Sequence, residues 1–187
     1  MQRTFIIDHN IIKRMTLFTI FIILHLLLAP PPSLVRANDK LIRMECHNAE
    51  VPATCMQCVE SDRRAAAANR VGIATILVTC LENQAKTLAA NMSELASSSK
   101  DPAMKIVFKE CCQGYSSAEK GLSSATSCLK NGKYEDAERF VNEALEYELS
   151  CHSKIESYRE EISEYIVHEM KIYEQLSEAA NRIVERL

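Results

Sequence analysis

The chain has 187 residues and a formal net charge of −3, with 25 acidic side chains against 22 basic ones. That balance excludes the basic footprint that nucleic acid or an anionic membrane surface requires of a partner. Tryptophan is absent and only four glycines occur, while Ala, Leu, Glu, Ser and Lys are abundant. Such a composition suits helices and serves sheets poorly.

The chain opens with a mildly basic lead-in, "MQRTFIIDHNIIKR", followed by the apolar run "MTLFTIFIILHLLLA" at residues 15–29. That length matches the apolar core of a signal peptide and falls short of the ~20 residues a membrane-spanning helix needs. "PPPSLVRA" then breaks a helix and supplies a small-residue cleavage pattern at Val35-Arg36-Ala37. The expectation is a signal peptide over 1–37, with a short membrane anchor as the alternative. The remaining chain, 38–187, is expected to be secreted and free of the membrane. The leader takes with it Arg3, Lys13, Arg14, Arg36 and one acid, Asp8. What remains carries 18 basic and 24 acidic side chains, a net charge of −6.

All eight cysteines (46, 55, 58, 80, 111, 112, 128 and 151) lie beyond residue 37. In an oxidising compartment most should pair, although counting does not fix the connectivity. "MECHNAEVPATCMQC" is short, contains a proline and holds Cys46 and Cys55 nine apart. It reads as an N-terminal arm tied into a small hairpin by its own disulfide, over 38–66.

Four amphipathic segments follow within 67–187. Ala74, Val78, Leu81, Ala85, Leu88, Met92 and Leu95 recur in alternating steps of 4 and 3, the signature of a helix face. "SSSKDPAMK" interrupts, and Asp101-Pro102 signals a new start: an acid at the N-cap and proline at the first helical position. The second seam is Met104, Phe108, Cys111, Tyr115, Ala118, Leu122, Ala125 and Leu129, closed by Gly132 in "KNGK". The third is Tyr134, Ala137, Val141, Ala144 and Cys151, broken at Glu148. Ser157 and Glu160 form a capping box ahead of Ile162, Ile166, Met170, Tyr173, Leu176, Ala180, Ile183 and Leu187. The expected fold is all-α: an antiparallel up-down four-helix bundle preceded by the small disulfide-tied hairpin. The Pro and Gly turns argue against one long coiled coil.

In that arrangement Cys111 lies on the second seam and Cys151 near the far end of the third, so antiparallel neighbours bring them together. A buried free thiol is the alternative for Cys111. Cys58 and Cys128 fall at the same end of the bundle and could form an extra pair. Cys80 and Cys112 sit at different heights and should not meet, so at least one free thiol is expected.

No catalytic or metal centre emerges. An adjacent cysteine pair is found in plant lipid-transfer proteins, but there it is third and fourth and is followed by C-x-C; here it is fifth and sixth and no C-x-C exists. "CMQC" is a lone C-x-x-C with no second pair or ligand-spaced histidines to support zinc or redox chemistry. His47 and His152 each follow a cysteine of an expected disulfide and read as surface residues. The carboxylates of "YREEISEY" and "KYEDAERF" alternate with Lys and Arg as solvated faces do. No phosphate loop or nucleophile elbow occurs. The expectation is a protein that is not an enzyme and needs no cofactor or metal. Asn91-Met92-Ser93 is a candidate N-glycosylation sequon.

Taken in order, the C-x8-C arm, "DPAMKIVFKECCQGYSSAEKGL" and "LKNGKYEDAERFVNEALEYELSC" resemble the plant invertase and pectin methylesterase inhibitor family. The most telling residues are Cys111, Tyr115 and Ala118, then Tyr134, Ala137, the "EAL" and Cys151. The resemblance implies a four-helix bundle with an N-terminal helical hairpin and disulfides Cys46–Cys55 and Cys111–Cys151. Cys58, Cys80, Cys112, Cys128 and the charged last helix depart from the pattern. Members act by binding. Pectin methylesterase inhibitors lay helical faces across the enzyme's substrate cleft, whereas invertase inhibitors insert a turn through a Pro-Lys-Phe tripeptide. This chain has no Pro-Lys-Phe, and its corresponding turn, "KNGKYED", offers Lys130, Asn131, Lys133 and Glu135. The resemblance thus implies a secreted inhibitor in the plant cell wall (apoplast) whose partner is pectin methylesterase, with cell-wall or vacuolar invertase as the runner-up. A secreted helical interaction protein without an enzyme target is the reading from another class. A monomer is expected, or a dimer if a spare cysteine cross-links two chains.

Overall fold

A computed structural model describes residues 32–156 and 162–187. The apolar run at 15–29 and the Ser157–Glu160 capping box lie outside the described residues. Among the described residues six α-helices follow one another: α1 (Pro32–Cys46), α2 (Pro52–Ser61), α3 (Arg70–Ser98), α4 (Pro102–Lys130), α5 (Tyr134–Ile155) and α6 (Glu164–Val184), with a 3-10 turn at Arg63–Ala67 between α2 and α3. No strand occurs among the described residues. Residues Arg36–Leu187 make one compact unit.

Pro32 opens α1, as proline can at a first helical position, where no intrahelical N–H bond is lost. Local chemistry sets the other helix starts. Asn69 Oδ1 accepts from the Gly72 N–H at 2.9 Å and Asp101 Oδ1 from the Ala103 N–H at 2.8 Å. The last helix takes Ser163 as its cap, whose Oγ accepts from the Ile166 N–H. At the end of α4, Gly132 adopts φ +70°. Its N–H reaches the Leu129 carbonyl and the Lys133 N–H reaches that of Cys128. These two bonds satisfy the last carbonyls of α4 in a Schellman motif, which only a residue tolerant of positive φ can complete.

Around the bundle α3 packs on α4 and α6, and α5 packs on the same two, so the four helices form a closed ring of neighbours. Three-residue turns at 99–101 and 131–133 make successive helices antiparallel. All eight seam residues of α4 are buried, as are Ala137, Val141, Ala144 and Cys151 of α5. The first two turns of α3 go further: Ile73 to Val78 is buried without a break. There α2 covers a side that the seam pattern alone would leave open, since α2 lies on α3 and α6.

The hairpin is fixed by three devices. The Cys46–Cys55 disulfide closes it. Thr54 Oγ1 donates to Gln175 Oε1 at 3.0 Å, joining α2 to α6. Glu45, almost wholly buried, accepts from Arg70 Nε at 2.7 Å and from Arg186 Nη2 at 2.9 Å, so one carboxylate gathers the end of α1, the start of α3 and the C-terminus. A buried carboxylate with two guanidinium partners avoids the penalty of an unpaired buried charge.

The Cys58–Cys128 pairing is corrected. Cys58 bonds Cys80 across 22 residues, while Cys128 and Cys112 are free and half-buried. The reason is where α2 lies. It runs beside α3 rather than over the end of α4, so Cys58 meets a residue three turns into α3.

Candidate functional site

The outer face between α4 and α5 sets aromatic side chains of one helix against glycines of the other. The two helices are matched along their length by residues seven apart. Gly114 and Gly121 on α4 stand opposite Tyr147 and Phe140 on α5. A β-carbon at either glycine would meet the facing ring at 3.6–3.7 Å, an ordinary contact distance, so each ring lies close against α4. Phe140 is capped in turn by the Arg139 guanidinium, 4.3 Å above its ring.

Around Gly114 the face hollows into a groove of about 300 Å³. Its floor is the Cys111–Cys151 bridge, with Cα atoms 5.1 Å apart. Gln113, Ser117 and Ser150 line it, and Lys154 bonds Glu110 across one end at 2.8 Å. Tyr147 is 41% exposed, and Ile106, one turn along α4 from Glu110, is 58% exposed. An aromatic and an aliphatic anchor beside polar groups on a cross-linked frame are what a protein-binding surface needs.

Beneath that face lies a buried polar cluster. Glu148 occupies the one seam position of α5 where the apolar pattern breaks, and it is 0% exposed. The Tyr115 hydroxyl donates to its Oε2. Tyr173 meets Tyr115 edge-to-face with ring centroids 5.7 Å apart, and its hydroxyl donates to the Ala144 carbonyl at 3.3 Å. Burial pushes the Glu148 carboxyl up to about 7, opposed by the Tyr115 hydrogen bond and reinforced by the charge of Glu174. Both tyrosines are raised well above the ordinary phenol range, chiefly by burial and then by Glu148.

The model of the plant invertase/pectin methylesterase inhibitor family matches residues 40–185. The chain belongs to that family. A pectinesterase inhibitor from Actinidia deliciosa is 26% identical over 122 residues, spanning 65% of this chain and 66% of its own length. Two crystal structures of pectin methylesterase inhibitors from Arabidopsis share the fold at 20% identity. One, a mutant form, superposes with a TM-score of 0.69 over 78% of this chain and 96% of its own; the other gives 0.61 over 78% and 95%. The family is one of inhibitors rather than enzymes, so membership implies a partner enzyme.

Within this family member the sequence-predicted residues fall in separate places. Cys46 and Cys55 close the hairpin, and Cys111 and Cys151 floor the groove. Lys130, Asn131, Lys133 and Glu135 are all exposed around the α4–α5 turn. Sixteen residues of α4 separate Lys130 from Gly114, which puts the turn ~24 Å from the groove. Asn91 lies inside α3, and its Nδ2, the atom a glycan would occupy, has essentially no contact with solvent. Sequence reasoning passed over the glycine–aromatic register, whose signal is the shared spacing of seven. It registered Glu148 only as a break in the α5 seam, a lone carboxylate on an apolar stripe, and not as a buried polar centre.

Proposed function

We propose that this chain is a secreted, stoichiometric and reversible inhibitor of a plant pectin methylesterase, acting in the cell wall by covering the enzyme's substrate cleft with the outer face of α4 and α5. The observation that carries the reading is the groove itself. Tyr147 lines it and is exposed, Ile106 is exposed one turn along α4 from Glu110, and its floor is a disulfide between the two helices. Holding both helices rigid before contact limits the conformational entropy lost on binding. A net charge of −6 on the chain beyond residue 37 steers it toward a basic enzyme surface. The names of the Actinidia and Arabidopsis relatives support the same target.

The second reading, inhibition of an acid invertase, rests on the exposed turn at 130–135. The absence of a Pro-Lys-Phe tripeptide anywhere in the chain weighs against it. Parallel titration of the oxidised protein against plant pectin methylesterases and plant acid invertases at mildly acidic pH separates the two. The expected result is loss of pectin methylesterase activity at near-equimolar protein, relieved more than tenfold by Tyr147→Ala and little changed by Lys133→Ala. Inhibition of invertase alone, weakened by Lys133→Ala, would replace the proposal with the second reading. Failure to inhibit several isoforms of either enzyme would leave a bundle whose partner lies elsewhere.

A further inference from the structure

The Tyr115 hydrogen bond accounts for only one oxygen of Glu148. The other, Oε1, has no hydrogen-bond partner although the side chain is wholly buried. His152 follows four residues later on the same face of α5, with Nδ1 3.9 Å from that oxygen. Glu174 comes in from α6, and single donor atoms of the three side chains all lie within 4.8 Å of one another. Among the described residues neither Glu148 nor Glu174 forms an ion pair with a lysine or arginine.

We propose that Glu148, His152 and Glu174 bind one divalent transition-metal ion of the zinc class, joining α5 to α6 on the bundle. This goes beyond the inhibitory reading and does not depend on it. The donor set, one imidazole nitrogen and two carboxylate oxygens, suits Zn²⁺, whereas Mg²⁺ and Ca²⁺ favour oxygen alone. Three donors at most 4.8 Å apart lie within about 2.8 Å of a common centre, against bonds of about 2.0–2.2 Å to zinc. Glu148 is the fixed ligand. The remaining closure falls to His152, whose side chain is 48% exposed, and to Glu174, which is half-buried; both have room to turn. Tyr115, donating to the far oxygen of Glu148, orients that carboxylate as outer partners orient metal ligands. The open position of His152 gives the ion its way in and leaves a coordination site for water.

The test is Zn²⁺ titration of the oxidised protein at pH 7.5 in competition with a chromogenic chelator, with Mg²⁺ as a second arm. One Zn²⁺ per chain is expected, undisturbed by millimolar Mg²⁺. His152→Ala and Glu174→Gln are each expected to weaken binding more than tenfold while keeping the helical circular dichroism, because both positions reach solvent. His47 and His168 are exposed and Cys112 is a free thiol, so a His47→Ala/His168→Ala variant and Cys112→Ser serve as controls that retain the site. Absence of saturable binding overturns the proposal. So does binding that survives both His152→Ala and Glu174→Gln, or that vanishes in either control.

Discussion

Replacing Glu148 by glutamine tests whether a buried acid sets the pH response of the fold. Burial holds the Glu148 carboxyl at about 7 in the folded chain, against an ordinary value of 4.5. Below pH 4.5 folded and unfolded chains both carry the proton and the group contributes nothing to pH dependence. As the pH rises past 4.5 the unfolded carboxyl ionises while the folded one keeps its proton. Stability therefore falls until about pH 7 and levels off above it. Holding the carboxyl at about 7 rather than 4.5 corresponds to roughly 3 kcal/mol lost across that window. For a chain of this size that is roughly 6–12 °C in Tm. The groups facing Glu148 are Tyr115 from α4, Tyr173 and Glu174 from α6, and His152 on its own helix. A glutamine keeps an oxygen to accept from Tyr115 and offers an amide N–H₂ toward Glu174, without an ionisable proton. The assay is urea unfolding of both proteins from pH 4.5 to 8 with a chelator present. Every other titrating group contributes to both curves, so the difference isolates residue 148. It should be near zero at pH 4.5 and favour Glu148→Gln by roughly 3 kcal/mol above pH 7. Parallel curves, or a variant that loses ground as the pH rises, would refute the reasoning.

The two glycines of α4 and its cap should respond in opposite directions. Gly121→Ala adds a methyl at ordinary contact distance from Phe140 inside a helix and should gain up to ~1 kcal/mol, whereas Gly132→Ala forces φ +70° on a residue with a β-carbon and should cost roughly 1–2 kcal/mol; thermal melts compare them. Removing the Cys111–Cys151 link, which closes a span of 40 residues, by a double Cys→Ala substitution should cost about 4 kcal/mol in the loop-entropy account, measured by urea unfolding. Alkylation without reductant followed by peptide mass spectrometry should label Cys112 and Cys128 alone, and label at Cys58 or Cys80 would contradict the α2–α3 bridge. Protein from a glycosylating secretory host should show Asn91 unmodified by intact mass, because its Nδ2 is shut away from solvent.

How far the sequence speaks for itself follows from the range of each interaction. The α4 seam was legible residue by residue because a helix repeats every 3.6 residues and one stripe faces the core, so burial there is a local property. The Asp101 cap and the Gly132 terminator were legible for the same reason: each acts within one turn. Cys111 and Cys151 could be matched because a three-residue turn fixes the antiparallel register of α4 and α5. Cys58 could not be placed. Its partner depends on which side of the bundle α2 lies against, and no repeat in the chain encodes that docking. The unbroken burial of Ile73 to Val78 has the same origin, since a second layer of helix covers what a four-helix pattern leaves to water. Glu148 shows the limit most clearly. The sequence registers only a break in an apolar stripe. The tertiary structure turns that break into a carboxylate with one oxygen held by Tyr115 from α4 and the other close to His152 on α5 and Glu174 on α6. Three successive helices supply those groups, and only their packing brings them to one point.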